Sequence, residues 1–262
     1  MLGYFIALVP QGLWTALLTI NLATTPAIPW SVVIMIPIIC LIWLYLGGRW
    51  WPRSNSETRR RRLRANLVSP RLFAWGFLAG VLAIAALAGY WIVMASIVRM
   101  PGNVLPDLSR FPLPTVVLAI AMGSLISPIL EQAGFWGYCI VMLEEKNSAF
   151  AAILITAILY ALGPHPPMGS PWWPRLVFYF LTGLTFSLMS HLTDSLLPGL
   201  AVHILGIAAF FLLVWPHDAT RPLVGTIGAD IGFGITIGFG FVFTVLAVLA
   251  FFQLARLKKS TG

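Results

Sequence analysis

Three residues in this chain place proton-active side chains inside stretches that belong in lipid: Glu131, His165 and His203. Glu131 lies in Met122-Gly-Ser-Leu-Ile-Ser-Pro-Ile-Leu-Glu-Gln-Ala-Gly-Phe-Trp-Gly-Tyr-Cys-Ile-Val-Met-Leu143. An acidic group at that depth costs about 2.5–3.5 kcal/mol on insertion scales. The chain avoids this cost only by turning Glu131 inward, onto partners or water. Buried ionisable groups are functional candidates by default. The competing reading is a structural carboxylate, neutral or hydrogen-bonded to a neighbouring helix.

The spacing around Glu131 describes what must position it. Residues three or four apart share a helix face, which sets Gly134 and Phe135 beside Glu131 and continues to Gly137 and Tyr138. The two glycines let another helix come near or leave room for water or substrate. Pro128 is expected to kink the helix and free backbone carbonyls. His165 follows Gly163-Pro164, a pair that ends a helix, so taken alone it reads as a boundary histidine. His203 is deeper. Thr193-Asp-Ser195 supplies capping residues and Pro198 suits a first turn. Eight residues at a rise of about 1.5 Å put His203 ~12 Å into its helix.

The remaining chain must build a membrane scaffold. It has 262 residues, 59% hydrophobic and 9% charged, with a mean hydropathy of +0.91. A soluble domain of this size could not hide that much apolar surface, so lipid is the solvent. A span needs about 20 apolar residues. Eight candidates follow: Leu2–Leu22, Ile28–Gly48, Leu72–Val98, Leu113–Leu143, Ala149–Gly163, Leu176–Ser190, Leu196–Trp215 and Ile227–Leu254. The expected fold is an all-α polytopic membrane protein with about eight transmembrane helices and both termini cytoplasmic. Residues 1–112 form an N-terminal transmembrane region of three spans and a basic loop. Residues 113–215 form the core that carries the polar groups, and 216–262 a Gly-rich span with a basic tail. The N-terminus lacks a basic leader and a small-residue cleavage site, so the first apolar segment reads as retained.

Charge placement agrees with that topology. Four segments fall on one side: the loop 49–71, the Glu144-Glu-Lys146 turn, the 191–195 turn and the C-terminus; all but the 191–195 turn carry Lys or Arg, and together they hold twelve of the 16. Arg99, Arg110, Arg175 and Arg221 are left for the other side. The positive-inside rule makes the richer side cytoplasmic. The net charge of +8 comes mainly from Arg49 to Arg71. That loop reads as a topology signal in contact with anionic headgroups; no aromatic residue interleaves with Arg59–Arg62, which argues against nucleic acid as a partner. Cys40 and Cys139 read as buried inert thiols. Gly228/Gly232 and Gly234/Gly238 repeat at the spacing used for close helix packing. Asn103, Asn147, Asp107, Asp194, His191, His217, Asp218 and Asp230 read as solvated or capping groups. Gly-x-Ser-x-Gly, His-Glu-x-x-His and paired intramembrane aspartates are absent.

With these residues in view, the chain resembles the CPBP (Abi) family of intramembrane proteases, which includes the type II CAAX prenyl endopeptidases. The family's first motif is Glu-Glu-x-x-x-Arg followed by Gly and an aromatic; here Glu131-Gln-Ala-Gly-Phe-Trp-Gly-Tyr138 stands in its place. The second is Phe-x-x-x-His, here Ala161-Leu-Gly-Pro-His165. The third is His-x-x-x-Asn or Asp after a Ser-Leu-x-Pro lead; here Ser195-Leu-Leu-Pro198 precedes His203, and Ile207 holds the Asn position. The resemblance covers roughly residues 113–215. It implies Glu131 as general base, paired with His165, and His203 as an oxyanion-side donor. Gln132, Trp136 and Ile207 depart from the family pattern at supporting positions.

Three functions follow from this reading. The first is an intramembrane endopeptidase acting on a membrane-associated or lipidated peptide or protein. The second is a catalytically silent scaffold or immunity-type protein binding a membrane partner, which the departures favour. The third is a small proton-coupled carrier, for which the sequence lacks inverted-repeat symmetry. Glu131, His165 and His203 are also a candidate zinc ligand set with one open position, so a divalent metal such as zinc and a metal-free water remain open. The expected location is a bacterial or archaeal plasma membrane, with membrane lipid as a partner.

Overall fold

The computed structural model describes residues 2–98, 108–163, 172–214, 216–217, 221, 223–225 and 229–261. His165 lies outside the described residues, as do Arg99, Asn103, Asp107, Asp218 and Gly228. Helices α1 (Leu2–Thr24) and α2 (Trp30–Leu46) form a hairpin, and a short helix α3 (Ser56–Arg62) lies in the basic loop. Then come α4 (Pro70–Ile97), α5 (Leu113–Glu131), a π-helical stretch over Gln132–Cys139, and α6 (Ile140–Glu144). The core closes with α7 (Ala149–Ala161), α8 (Trp173–Thr193) and α9 (Leu197–Ala209), which continues as a π turn over Phe210–Val214. The last helix, α10, spans Ala229–Thr261.

Six of these helices are long and apolar enough to cross a membrane: those within Phe5–Thr24, Pro70–Ile97, Leu113–Glu144, Trp173–Thr193, Leu197–Val214 and Ile231–Lys259. Trp30–Leu46 and Ala149–Ala161 are shorter apolar helices. Each falls on one of the eight expected spans, and no strand occurs among the described residues. The chain is an all-α polytopic membrane protein.

Side-chain caps start the helices where the sequence offers them. Ser69 Oγ accepts the Leu72 N–H at 3.3 Å, Ser148 Oγ the Ala151 N–H at 3.3 Å, and Ser195 Oγ the Leu197 N–H at 3.1 Å. Helix α8 begins earlier than the expected Leu176, because Pro174 sits in its first turn, where a missing N–H costs nothing. In the α1–α2 hairpin, fully buried Asn21 donates to the carbonyls of Thr25 (2.9 Å) and Ile28 (2.8 Å). Its Oδ1 accepts from the Ser31 N–H (3.0 Å) and hydroxyl (2.8 Å). Asn21 thereby satisfies two carbonyls and an amide of the turn between the two helices.

The four segments assigned to one side by span order and charge meet at one end of the bundle. Arg64, from the loop after α3, is buried and pairs with Glu144, at the end of α6; its Nε lies 3.0 Å from Asp194 Oδ1. His191 Nδ1 is 2.7 Å from Glu144 Oε1, and Lys258 Nζ donates to the His191 carbonyl at 2.6 Å. Asp194 therefore pairs with Arg64, and His191 hydrogen-bonds Glu144; neither is simply a solvated group. Arg59 is structural too. It stacks on Tyr45 at 4.6 Å and donates to the carbonyls of Trp50 (2.8 Å) and Pro52 (2.9 Å).

Two packing expectations need correction. Gly232, Gly234 and Gly238 face open space, so the spaced glycines of α10 do not make the close helix contact. That contact falls on Gly240, whose Cα lies 3.0 Å from where a Cβ on Gly89 of α4 would sit. Spacing alone marks small residues but not which face meets a neighbour. Cys40 is exposed on α2 and Cys139 half-buried, both as free thiols.

The expected close approach at Gly134 and Gly137 is present. A Cβ on Gly3 of α1 would lie 2.5 Å from the Gly134 carbonyl oxygen, and one on Gly134 would collide with the Gly3 carbonyl. Both obstacles are backbone and cannot swing aside. Gly134→Ala therefore lowers stability by about 1–3 kcal/mol, the usual range for overpacking, whereas Gly238→Ala, in open space within a helix, does not lower it. Thermal unfolding of the two variants in detergent checks this; equal melting temperatures would contradict the α1–π contact.

Candidate functional site

Glu131 ends α5, where the helix passes into the π stretch. The departure from α geometry follows Glu131 rather than Pro128, whose carbonyl still accepts from the Gln132 N–H. A π turn redirects side chains within one continuous helix and is frequent at functional sites. Here it turns Glu131, Gln132, Phe135 and Trp136 all into the bundle.

Glu131 is 8% exposed, and its carboxylate is held by two hydroxyls. Tyr160 Oη, from α7, donates to Oε2 at 2.7 Å. Ser127 Oγ, one turn earlier on α5, donates to Oε1 at 2.5 Å. His203 brings Nε2 to 3.8 Å from Oε2. A carboxylate oxygen has two acceptor positions, so each oxygen retains one beyond its hydroxyl partner. Glu131 and His203 lie 72 residues apart in sequence and converge because α9 packs along α5.

His203 is wedged among aromatic rings. Its ring centroid lies 4.6 Å from Phe186 and 5.6 Å from Trp136. Trp136 is completely buried, 4.8 Å from both Tyr160 and Phe186, and its indole N–H donates to the Gly183 carbonyl at 3.2 Å. Trp136 thus packs as the hub between the Tyr160 and His203 that face Glu131. Gln132 packs on Gly199, one turn before His203; a Cβ there would sit 3.0 Å from Gln132 Oε1. Gln132 Nε2 and His203 Nδ1 are buried without a hydrogen-bond partner among the described residues. Ile207 lies one turn after His203 on α9, half-buried.

The structure therefore brings together Glu131, Gln132, Trp136 and His203. His165 is outside the described residues. Two site residues escaped the sequence reading. Ser127 was findable, since it stands four residues before Glu131 on the same face. Tyr160 carried a weaker signal: it precedes by one residue the Ala161 that holds a motif position.

The metal reading can be tested on donors. Among the described residues, no group of three His, Cys, Asp or Glu could hold a metal ion. Glu131 and His203 supply two donors where a catalytic zinc takes three protein ligands. His165 would be the third and lies outside the described residues, so no step below runs through a metal.

What the arrangement can do chemically is limited. A buried carboxylate with hydroxyl donors and an adjacent imidazole can take a proton from water and return it to a leaving group. Residues 113–209, from the first residue of α5 to the last of α9, match the family model described as "Type II CAAX prenyl endopeptidase Rce1-like". No curated protein and no solved structure matches the chain.

Proposed function

This chain belongs to the CPBP/Rce1-like family through residues 113–209, and we propose that it is an intramembrane endopeptidase that cleaves a peptide bond next to a prenylated cysteine. The observation that carries this reading is the buried Glu131 carboxylate, facing His203 at 3.8 Å and positioned by Tyr160 and Ser127.

The chemistry proceeds in two proton transfers. Glu131 takes a proton from water as the water oxygen bonds to the scissile carbonyl carbon, giving a tetrahedral oxyanion. His203, with a proton on Nε2, donates a hydrogen bond to the charge that develops there. The intermediate collapses as the C–N bond breaks, and Glu131 returns its proton to the leaving amine. One water is consumed, and the products are a new carboxylate and a new amine. His165 enters this proposal by the family resemblance, as the partner of Glu131. Ile207 offers no donor where the family has Asn, so the oxyanion is held by fewer groups and turnover is slow.

The substrate follows from the setting. A scissile bond reaches a carboxylate within the bilayer only if the substrate is itself held there, and a prenyl chain anchors a peptide end at the membrane. Purified protein in proteoliposomes is expected to cleave a farnesylated CAAX peptide and to leave the same peptide without its prenyl group intact. Equal cleavage of both would remove the lipid from the recognition. Cleavage of neither would replace the enzyme by a membrane-partner binding protein on the same fold.

A further inference from the structure

We infer that Arg64 is a positioning residue for this site: through Ser190 its guanidinium holds the Trp136 carbonyl, and with it the π-helical stretch that follows Glu131. Arg64 lies outside the stretch that matches the family, on the loop after α3. Only the kinetic consequence of this inference rests on the hydrolase reading.

The contacts form a continuous line. Arg64 Nη1 donates to Ser190 Oγ at 3.3 Å, and Ser190 Oγ donates to the Trp136 carbonyl at 2.5 Å. The Trp136 ring packs on Tyr160 and His203, the two residues that face Glu131. Beside this line, Leu63 sits directly on the π stretch: a Cβ on Gly137 would lie 3.0 Å from the Leu63 carbonyl oxygen. The backbone carbonyl of Arg64 accepts the Leu196 N–H at 3.0 Å, just ahead of α9, the helix that carries His203. One residue therefore braces both elements whose convergence makes the site.

Arg64 is held in place firmly enough to do this. Its φ is +48°, a left-handed conformation that a non-glycine residue keeps only where its surroundings fix it. Glu144 and Asp194 take the other arms of the guanidinium. A planar fork can serve three acceptors in fixed directions at once, and a lysine ammonium on a flexible stem cannot. A merely electrostatic role would be satisfied by either residue. The geometry here uses the fork.

The sequence provides a probe for this line. It contains two Trp-Gly pairs, Trp75-Gly76 and Trp136-Gly137. Labelling the full-length protein with carbonyl-¹³C tryptophan and ¹⁵N glycine therefore gives two solid-state NMR nitrogen–carbonyl signals in lipid bilayers, one at the brace and one as an internal control on α4. In Ser190→Ala the Trp136-Gly137 signal is expected to move upfield, as a carbonyl carbon does on losing a donor, while Trp75-Gly76 stays in place. Arg64→Lys is expected to move the same signal in the same direction. Arg61→Ala, an exposed arginine of the same loop, should move neither. If Ser190→Ala moves the signal and Arg64→Lys does not, Arg64 does not act through Ser190 and the inference is overturned. Movement of both signals in Arg64→Lys would also overturn it, by showing a general structural role. Should Arg64→Lys fail to accumulate, Ser190→Ala with an unmoved Trp136-Gly137 signal overturns it alone. The spectra need no turnover, so they stand apart from the fate of the hydrolase reading. Where turnover is present, both variants lower kcat by about 10- to 10²-fold with KM unchanged, the signature of misplaced catalytic groups.

Discussion

Replacing Glu131 by glutamine is expected to lower cleavage of a farnesylated CAAX peptide by about 10²–10⁴-fold, the usual contribution of a general base, while the protein still folds and inserts. Glutamine keeps the volume of the side chain and accepts the Ser127 or Tyr160 hydroxyl through its remaining carbonyl oxygen. Its NH₂ faces the other hydroxyl, which can rotate to accept instead. The packing of Phe135 on Tyr160, at 5.2 Å, and of Trp136 is untouched. What disappears is the capacity to hold a proton between water and the leaving amine. Single-turnover rates for purified wild type and Glu131→Gln in proteoliposomes, at matched protein density, measure this. A variant retaining wild-type rate would reduce Glu131 to a structural carboxylate bonded to Ser127 and Tyr160.

His203 carries the second large effect. His203→Asn is expected to reduce kcat by about 10²–10³-fold, the range for losing one oxyanion donor. Phe186 and Trp136 pack against the His203 ring, at 4.6 Å and 5.6 Å, where it faces Glu131. A shorter amide does not extend to the Nε2 position. His203→Ala would also open a cavity among these rings and confuse lost packing with lost chemistry. His203→Gln reaches further and should recover part of the rate. The order wild type, Gln, Asn in kcat, with KM nearly constant, is the expected outcome. Equal activity in all three would exclude the imidazole from the reaction.

Much of this scaffold was legible because the bilayer simplifies the problem. Apolar runs of sufficient length become helices, since lipid leaves the backbone no partner outside itself. All eight segments were found this way, and the distribution of arginines anticipated which loops share an end of the bundle. The Pro198 start of α9 was readable in the local sequence and put His203 at depth. The remainder depended on contacts that no local pattern encodes. Arg64 looked like one of several topology charges; only its burial against Glu144, Asp194 and Ser190 sets it apart. Tyr160 is one of many aromatics in apolar runs, and its hydroxyl matters because α7 packs where the π stretch turns Glu131. That π stretch carries no residue signature of its own. The glycines of α10 show the opposite failure: their spacing suggests packing, but the helix presents Gly240 to α4 and leaves Gly232, Gly234 and Gly238 open.

The central claim is that Glu131 activates a water that attacks the scissile carbonyl directly. Single-turnover cleavage of a farnesylated CAAX peptide in ¹⁸O-water, followed by mass spectrometry of both product and protein, tests it most directly. The account predicts one ¹⁸O in the new carboxylate of the product, none in the Glu131 side chain, and no product from Glu131→Gln on the same timescale. Label in Glu131 would show a covalent acyl intermediate instead. Absence of labelled product from the wild-type protein would contradict hydrolysis at this site altogether.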